Sequence, residues 1–146
     1  MLCQLLVGAT VSICTIIIHA AVMATVVHVV HALRAKKPLT PWLHLTSIMI
    51  ATVSVLMVAH VGEVIVWSLA YAIVDAAAAG ADLVYFAFVN YTTLGYGDII
   101  PVERWRLLGP MTAMNGILLF GWSTAVIVDV LRRAMLATGA IEAEAR

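Results

Sequence analysis

The chain has 146 residues, of which 64% are hydrophobic and 11% charged, with a formal net charge of zero. Soluble domains sit near about 45–50% apolar with about a quarter charged, so a chain this small cannot hide its apolar surface from water, and its solvent is lipid. The balanced charge and the absence of a basic patch exclude nucleic acid as a partner, and no nucleophile–base set or metal-ligand spacing argues for an enzyme or a cofactor.

The first apolar span runs from about residue 5 to residue 33. It lacks the basic n-region of a signal peptide and is too long for one, so it reads as a retained membrane helix. Cys3 and Cys14 lie on it about 16 Å apart, too far for a disulfide. It carries no arginine at every third position, so it is not a voltage-sensor helix. It is expected to pack on the outside of the molecule and contact lipid. The span ends in RAKKPLTP, where Arg34, Lys36 and Lys37 cluster and Pro38 and Pro41 break the helix. Thr40 is placed to cap the next helix, with Pro41 at its first position and Trp42 at the membrane interface.

The second span runs from about residue 42 to residue 74 and ends at AAAAGAD. Asp82 is placed to cap a short helix, LVYFAFVNYT, about 15 Å long and so half a bilayer. The stretch TTLGYGDIIP and the polar segment PVERWR follow. A third full span runs from about residue 107 to residue 135 and ends at Arg132 and Arg133, before a short polar tail. Arg34, Lys36, Lys37, Arg132 and Arg133 flank one membrane face, which the positive-inside rule makes cytoplasmic. The N-terminus and the glycine stretch then lie outside. Arg104 and Arg106 oppose this count, with Asp98 and Glu103 offsetting them.

Irregular backbone at membrane depth survives only where protein or water satisfies it. The stretch after the half-length helix is therefore expected to line an aqueous path. Gly95 and Gly97 can take left-handed φ without penalty. Alternating them with Leu94 and Tyr96 lets successive carbonyls face one way, as a ladder of cation ligands.

TTLGYGD, residues 92–98, resembles the potassium channel signature, and the half-helix before it is similar to that family's pore helix. The resemblance covers residues 42–133 and leaves out the first helix. It implies an all-α membrane protein: three transmembrane helices plus a re-entrant pore helix and selectivity filter, in a fourfold homotetramer in a bacterial plasma membrane. The divisions are a peripheral helix at 1–35, a cytoplasmic linker at 36–41, a pore domain at 42–136 and a tail at 137–146. Within the pore domain the outer helix is 42–75, the pore helix 82–92, the filter 93–98 and the inner helix 107–135. Carbonyls of Thr93, Leu94, Gly95 and Tyr96 would bind K+, with the Thr93 hydroxyl at the innermost site. The Tyr96 ring would brace the filter and Asp98 would sit behind its outer mouth. The partners implied are other copies of the chain, membrane lipid and K+. A weakly selective cation channel and a non-conducting channel-like subunit are the alternatives.

Departures from the family pattern matter at the filter. Leu94 replaces the commoner valine, and its extra methylene must pack behind the filter. Val89 stands where some relatives carry a glutamate, which leaves Asp98 without a carboxylate partner there. Tyr85 and Phe86 replace a tryptophan pair, and Phe86 cannot donate a hydrogen bond.

Glu63, about one and a half turns short of the end of the second span, has two readings. It braces the pore helix from behind as a protonated donor with Asn90 as partner, or it sits wet at the outer interface. His60 and Trp67 share its face. Gly116 and Gly121 interrupt the third span and are hinge candidates, Gly116 standing where the resemblance places a gating hinge; the other reading of both is close helix approach, which is favoured for Gly121. Asp129 forms a ring of carboxylates at the inner mouth or pairs with Arg132 or Arg133 on its own helix. His19, His28, His31 and His44 are read as scattered interfacial side chains rather than a metal or proton site.

Overall fold

The computed structural model describes residues 1–33 and 40–138. Among these residues there are four α-helices, one 3-10 turn and no strand. The helices are α1 (Leu2–Leu33), α2 (Pro41–Ile73), α3 (Leu83–Tyr91) and α4 (Leu108–Thr138). The expectations for Arg34, Lys36, Lys37 and Pro38, and for the polar tail past residue 138, lie outside the described residues, as does the side chain of His31.

Three stretches, Leu2–Val29, Trp42–Ile73 and Glu103–Leu136, are long and apolar enough to cross a membrane. At about 1.5 Å per residue each long helix exceeds the roughly 30 Å hydrocarbon core, whereas α3 spans less than half of it. The Asp82 cap forms as the sequence implies, its Oδ1 accepting the Tyr85 N–H at 3.0 Å. Thr40 does not cap with its side chain, a correction to the sequence reading. Proline at the start of α2 pre-sets the first turn, and the Thr40 carbonyl accepts the His44 N–H at 3.2 Å.

Side-chain contacts fix the direction of each helix. Gln4 Oε1 accepts the Leu107 N–H at 3.0 Å, and deeper in the fold Thr15 donates to Asn115 at 3.0 Å. Position rises along both helices, so α1 and α4 run parallel. Trp67 Nε1 donates to the same Asn115 oxygen at 3.1 Å, and Tyr71 bonds Thr112 at 2.5 Å. Position there rises along α4 as it falls along α2, so α2 is antiparallel to both. The N-terminus and the loops around α3 therefore share one end, and the α1–α2 connection and the end of α4 share the other.

The chain turns at the C-terminal end of α2 through Asp75 (φ 51°) and Gly80 (φ 83°). It then descends through α3 and climbs back through residues 92–102. The Val102 N–H donates to the Ala76 carbonyl at 2.8 Å, which closes the excursion at the level where it began. The segment enters and leaves at one end of the bundle. Its core packs Phe86, Ala87 and Tyr91 of α3 against Val64, Trp67 and Tyr71 of α2 and Leu108 of α4. A second cluster, Val26, Ile48, Val130 and Ala134, joins the long helices at the other end.

Candidate functional site

The loop after α3 is held by its amides. Thr93 N–H donates to Asn90 O at 3.0 Å, Leu94 N–H to Val89 O at 2.9 Å and Gly95 N–H to Val89 O at 3.4 Å. These bonds use the carbonyls that a helix end leaves orphaned. The next device is conformational. Thr93 (φ 60°), Gly95 (φ 59°) and Gly97 (φ 78°) are left-handed at every second position. In an extended chain successive carbonyls alternate sides; a left-handed residue at each alternate position turns them to a common side. Among the described residues no hydrogen bond reaches the carbonyls of Thr93, Leu94, Gly95 or Tyr96. The two glycines were legible in the sequence. Thr93 was not, and a left-handed β-branched residue costs roughly 1–2 kcal/mol.

The loop side chains are uncovered within one chain. Leu94 is 54% exposed and Tyr96 69%. The extra methylene of Leu94 is thus not packed behind the loop by its own chain, and the Tyr96 ring braces nothing within it. Whatever covers them comes from elsewhere.

Asp98 is not left without a partner. Tyr85 Oη donates to its Oδ2 at 2.7 Å, from the position where the sequence comparison noted only a lost tryptophan. This hydrogen bond holds the exposed Asp98 carboxyl below its ordinary range and raises the Tyr85 hydroxyl above its own. The basic residues nearby have other acids: Arg104 lies 3.9 Å from Asp75 and Arg106 3.8 Å from Glu103. Asp75, not Asp98, therefore stands beside Arg104. Phe86 is buried with its ring 5.0 Å from that of Tyr71, and Val89 is buried beside it. The polar tie behind α3 is made by Tyr71, whose hydroxyl accepts from Asn90 Nδ2 at 3.3 Å.

Glu63 is wholly buried, so it is not the wet interfacial side chain of the second reading. Its depth and partner differ from the sequence reading. Nearly three helical turns separate it from Ile73, so it meets the inner end of α3. Its Oε2 accepts from the Tyr91 hydroxyl, so the carboxylate receives at this contact rather than donating to Asn90. Its two oxygens also bond His19 Nδ1 at 2.7 Å and His60 Nδ1 at 3.0 Å. His19, read from sequence as an interfacial side chain, is fully buried mid-helix. His60 Nε2 and His19 Nε2 both reach Ser123 Oγ, at 2.9 and 3.3 Å. One polar cluster thus joins all four helices directly beneath the loop. His19, His60 and Glu63 present their ligand atoms within 4.8 Å of one another, but they already bond each other, so they form a hydrogen-bonded cluster rather than an open ligand cage.

Gly116 is a packing site: a Cβ there would lie 2.0 Å from the Tyr91 carbonyl oxygen. Gly121 has nothing within 4 Å, so no close approach within the chain explains it. Asp129 pairs on its own helix, accepting from Arg133 Nε at 2.5 Å. His28 is exposed and His44 half-buried, apart from the cluster.

The sequence reading missed Tyr91, Tyr71, Ser123 and Asn115, and gave α1 too small a part. A signal was present. Gln4, Gly8, Thr15 and His19 form a polar and small stripe at helical spacing in an otherwise apolar helix. Gly8 lies on it because Met111 fills the space its side chain would need.

Three helices long and apolar enough to cross a membrane, a half-length helix whose segment returns to its own end of the bundle, and a loop of aligned free carbonyls at its C-terminal end define a membrane protein built to pass ions. A family model for ion channels matches residues 55–133, more than half of the chain, and the chain belongs to that family. No curated protein and no solved structure matches it.

Proposed function

We propose that the chain forms a fourfold homotetrameric potassium channel, with residues 93–98 of each subunit supplying one quarter of the selectivity filter. The observation that carries this reading is the left-handed backbone at Thr93, Gly95 and Gly97, with the amides of residues 93–95 tied to α3. Four such ladders around an axis surround each ion with carbonyl oxygens, which replace its hydration shell. Thr93 adds its hydroxyl at the innermost ring. The C-terminal end of α3 contributes partial negative charge toward the inner cavity.

One subunit cannot do this alone. Free carbonyls and exposed Leu94 and Tyr96 at membrane depth need other protein around them, and cyclic symmetry supplies it from identical copies. Tyr85 and Asp98 lie at the outer mouth, with the N-terminus on that side. Asp129, held by Arg133, lies toward the cytoplasmic end.

K+ flux into liposomes from wild type and Gly97→Ala tests the reading. An added Cβ at Gly97 meets nothing within 4 Å, so its effect is conformational. The left-handed φ of 78° becomes unfavourable by roughly 1–2 kcal/mol and one carbonyl per subunit turns off the axis. Wild type is expected to conduct and Gly97→Ala, still inserted and assembled, to lose flux. Equal flux from both removes the filter assignment, and no flux from a folded wild-type tetramer points to the non-conducting alternative.

A further inference from the structure

The cluster beneath the loop closes into a ring. Its four edges are His19 Nδ1 to Glu63 Oε1 at 2.7 Å, Glu63 Oε2 to His60 Nδ1 at 3.0 Å, His60 Nε2 to Ser123 Oγ at 2.9 Å and Ser123 Oγ to His19 Nε2 at 3.3 Å. Glu63 and His19 are fully buried, and His60 and Ser123 nearly so. A closed ring of this kind is filled when each edge holds one proton. An ionised Glu63, two neutral imidazoles and the serine hydroxyl bring three. The fourth makes the ring electrically neutral, with the extra proton held on an imidazole. With three protons the ring carries a buried negative charge and one edge has two acceptors and no donor. Both burial and hydrogen bonding therefore favour four.

Tyr91 hangs on this ring from α3. Its hydroxyl donates to Glu63 Oε2, and its oxygen lies 2.9 Å from His60 Nδ1. Since the Tyr91 proton points to Glu63, the proton between Tyr91 and His60 sits on His60. The titratable groups facing the ring are then all named among the described residues: His19 from α1, His60 and Glu63 from α2 and Tyr91 from α3. From α4 comes only the Ser123 hydroxyl; the charged pair Asp129 and Arg133 lies further along that helix.

We infer that this ring is a proton-binding site which, on taking up a fifth proton in acid, releases the Tyr91 hydroxyl from Glu63 and so loosens the inner end of α3. A filled ring has no vacant edge for another proton. The proton that enters goes to the carboxylate, the one group accepting three donors; two protons cannot face each other at the contact outside the ring, so the Tyr91 hydroxyl turns its own proton away from Glu63. Loss of a proton in alkali acts differently: it opens an edge but leaves Glu63 a carboxylate, and Tyr91 stays bound. The response is therefore one-sided. Its consequence for conduction rests on the channel reading above, because α3 carries the carbonyls that hold residues 93–95.

The test uses the full chain in lipid bilayers, with the 13C signal of the Glu63 carboxyl, the 13C signal of the Tyr91 phenolic carbon, and K+ flux followed from about pH 8 to about pH 5. The Glu63 carboxyl signal and the Tyr91 signal are expected to change together on acidification, with flux falling roughly tenfold over the same range. In Tyr91→Phe the Glu63 carboxyl signal should still change with pH while flux no longer follows it. In Ser123→Ala, which removes two edges without enlarging any side chain, the pH at which that signal changes should shift. A Glu63 carboxyl signal constant throughout would overturn the proton site. A Tyr91 signal that ignores the change at Glu63 would overturn the release. Both signals moving together with no flux at any pH would uphold the site and overturn the channel reading instead.

Discussion

At the scale of single residues, Thr93 and Tyr85 change how the loop is understood. Glycine at positions 95 and 97 announces left-handed backbone because only glycine adopts it freely. Threonine announces nothing of the kind, and its φ of 60° is imposed by α3, whose carbonyls capture the amides on either side. Tyr85 was equally silent, since its role depends on Asp98 thirteen residues away. Replacing Tyr85 by phenylalanine removes the hydrogen bond that depresses the Asp98 carboxyl. In wild type the bond to ionised Asp98 persists above this depressed value and is lost as pH falls through it. In Tyr85→Phe the carboxyl should titrate at a higher pH, nearer the ordinary range. The 13C carboxyl signal of Asp98 across an acid titration reads this directly, and identical curves in the two proteins would show that Tyr85 does not control it.

At the scale of elements, the helices and their ends were legible because membrane spans are long, apolar and punctuated by proline, glycine and charge. What each helix contributes inward was less so. In lipid there is little hydrophobic drive between helices, and packing and interhelical hydrogen bonds decide which faces meet. Those depend on pairs far apart in sequence, such as Thr15 with Asn115 and His19 with Glu63. The first helix was read as a passive outer element for that reason. Gly116 illustrates the same point. The resemblance suggested a hinge, while the contact with the Tyr91 carbonyl gives the glycine a steric reason. Gly116→Ala must displace the end of α3 and is expected to destabilise the protein by about 1–3 kcal/mol, measurable as an earlier loss of folded protein on thermal or denaturant titration. Unchanged stability would mean that α3 does not rest on α4 there. Glu63→Gln is nearly isosteric but sets an amide N–H₂ against groups that donate. It is expected to weaken the α3 seat by about 1–3 kcal/mol, read the same way, with Glu63→Val at least as severe. A wild-type-like Glu63→Gln would contradict the accepting role of the carboxylate.

At the scale of the whole molecule, a single chain leaves its most distinctive surface uncovered. Leu94 and Tyr96 are exposed beside free carbonyls, and apolar Met114, Ile117 and Leu118 on α4 are exposed as well. Lipid can cover the second group but not the first. The proposed tetramer covers both, by placing four loops around one axis. Its central claim is that the resulting carbonyl rings favour K+. The most direct measurement is the reversal potential of purified wild-type protein in a planar bilayer with K+ on one side and Na+ on the other. Selective conduction moves the reversal potential toward the K+ equilibrium potential, and that is the expected result. A reversal potential near zero would contradict it and leave an ion channel that does not discriminate between the two cations.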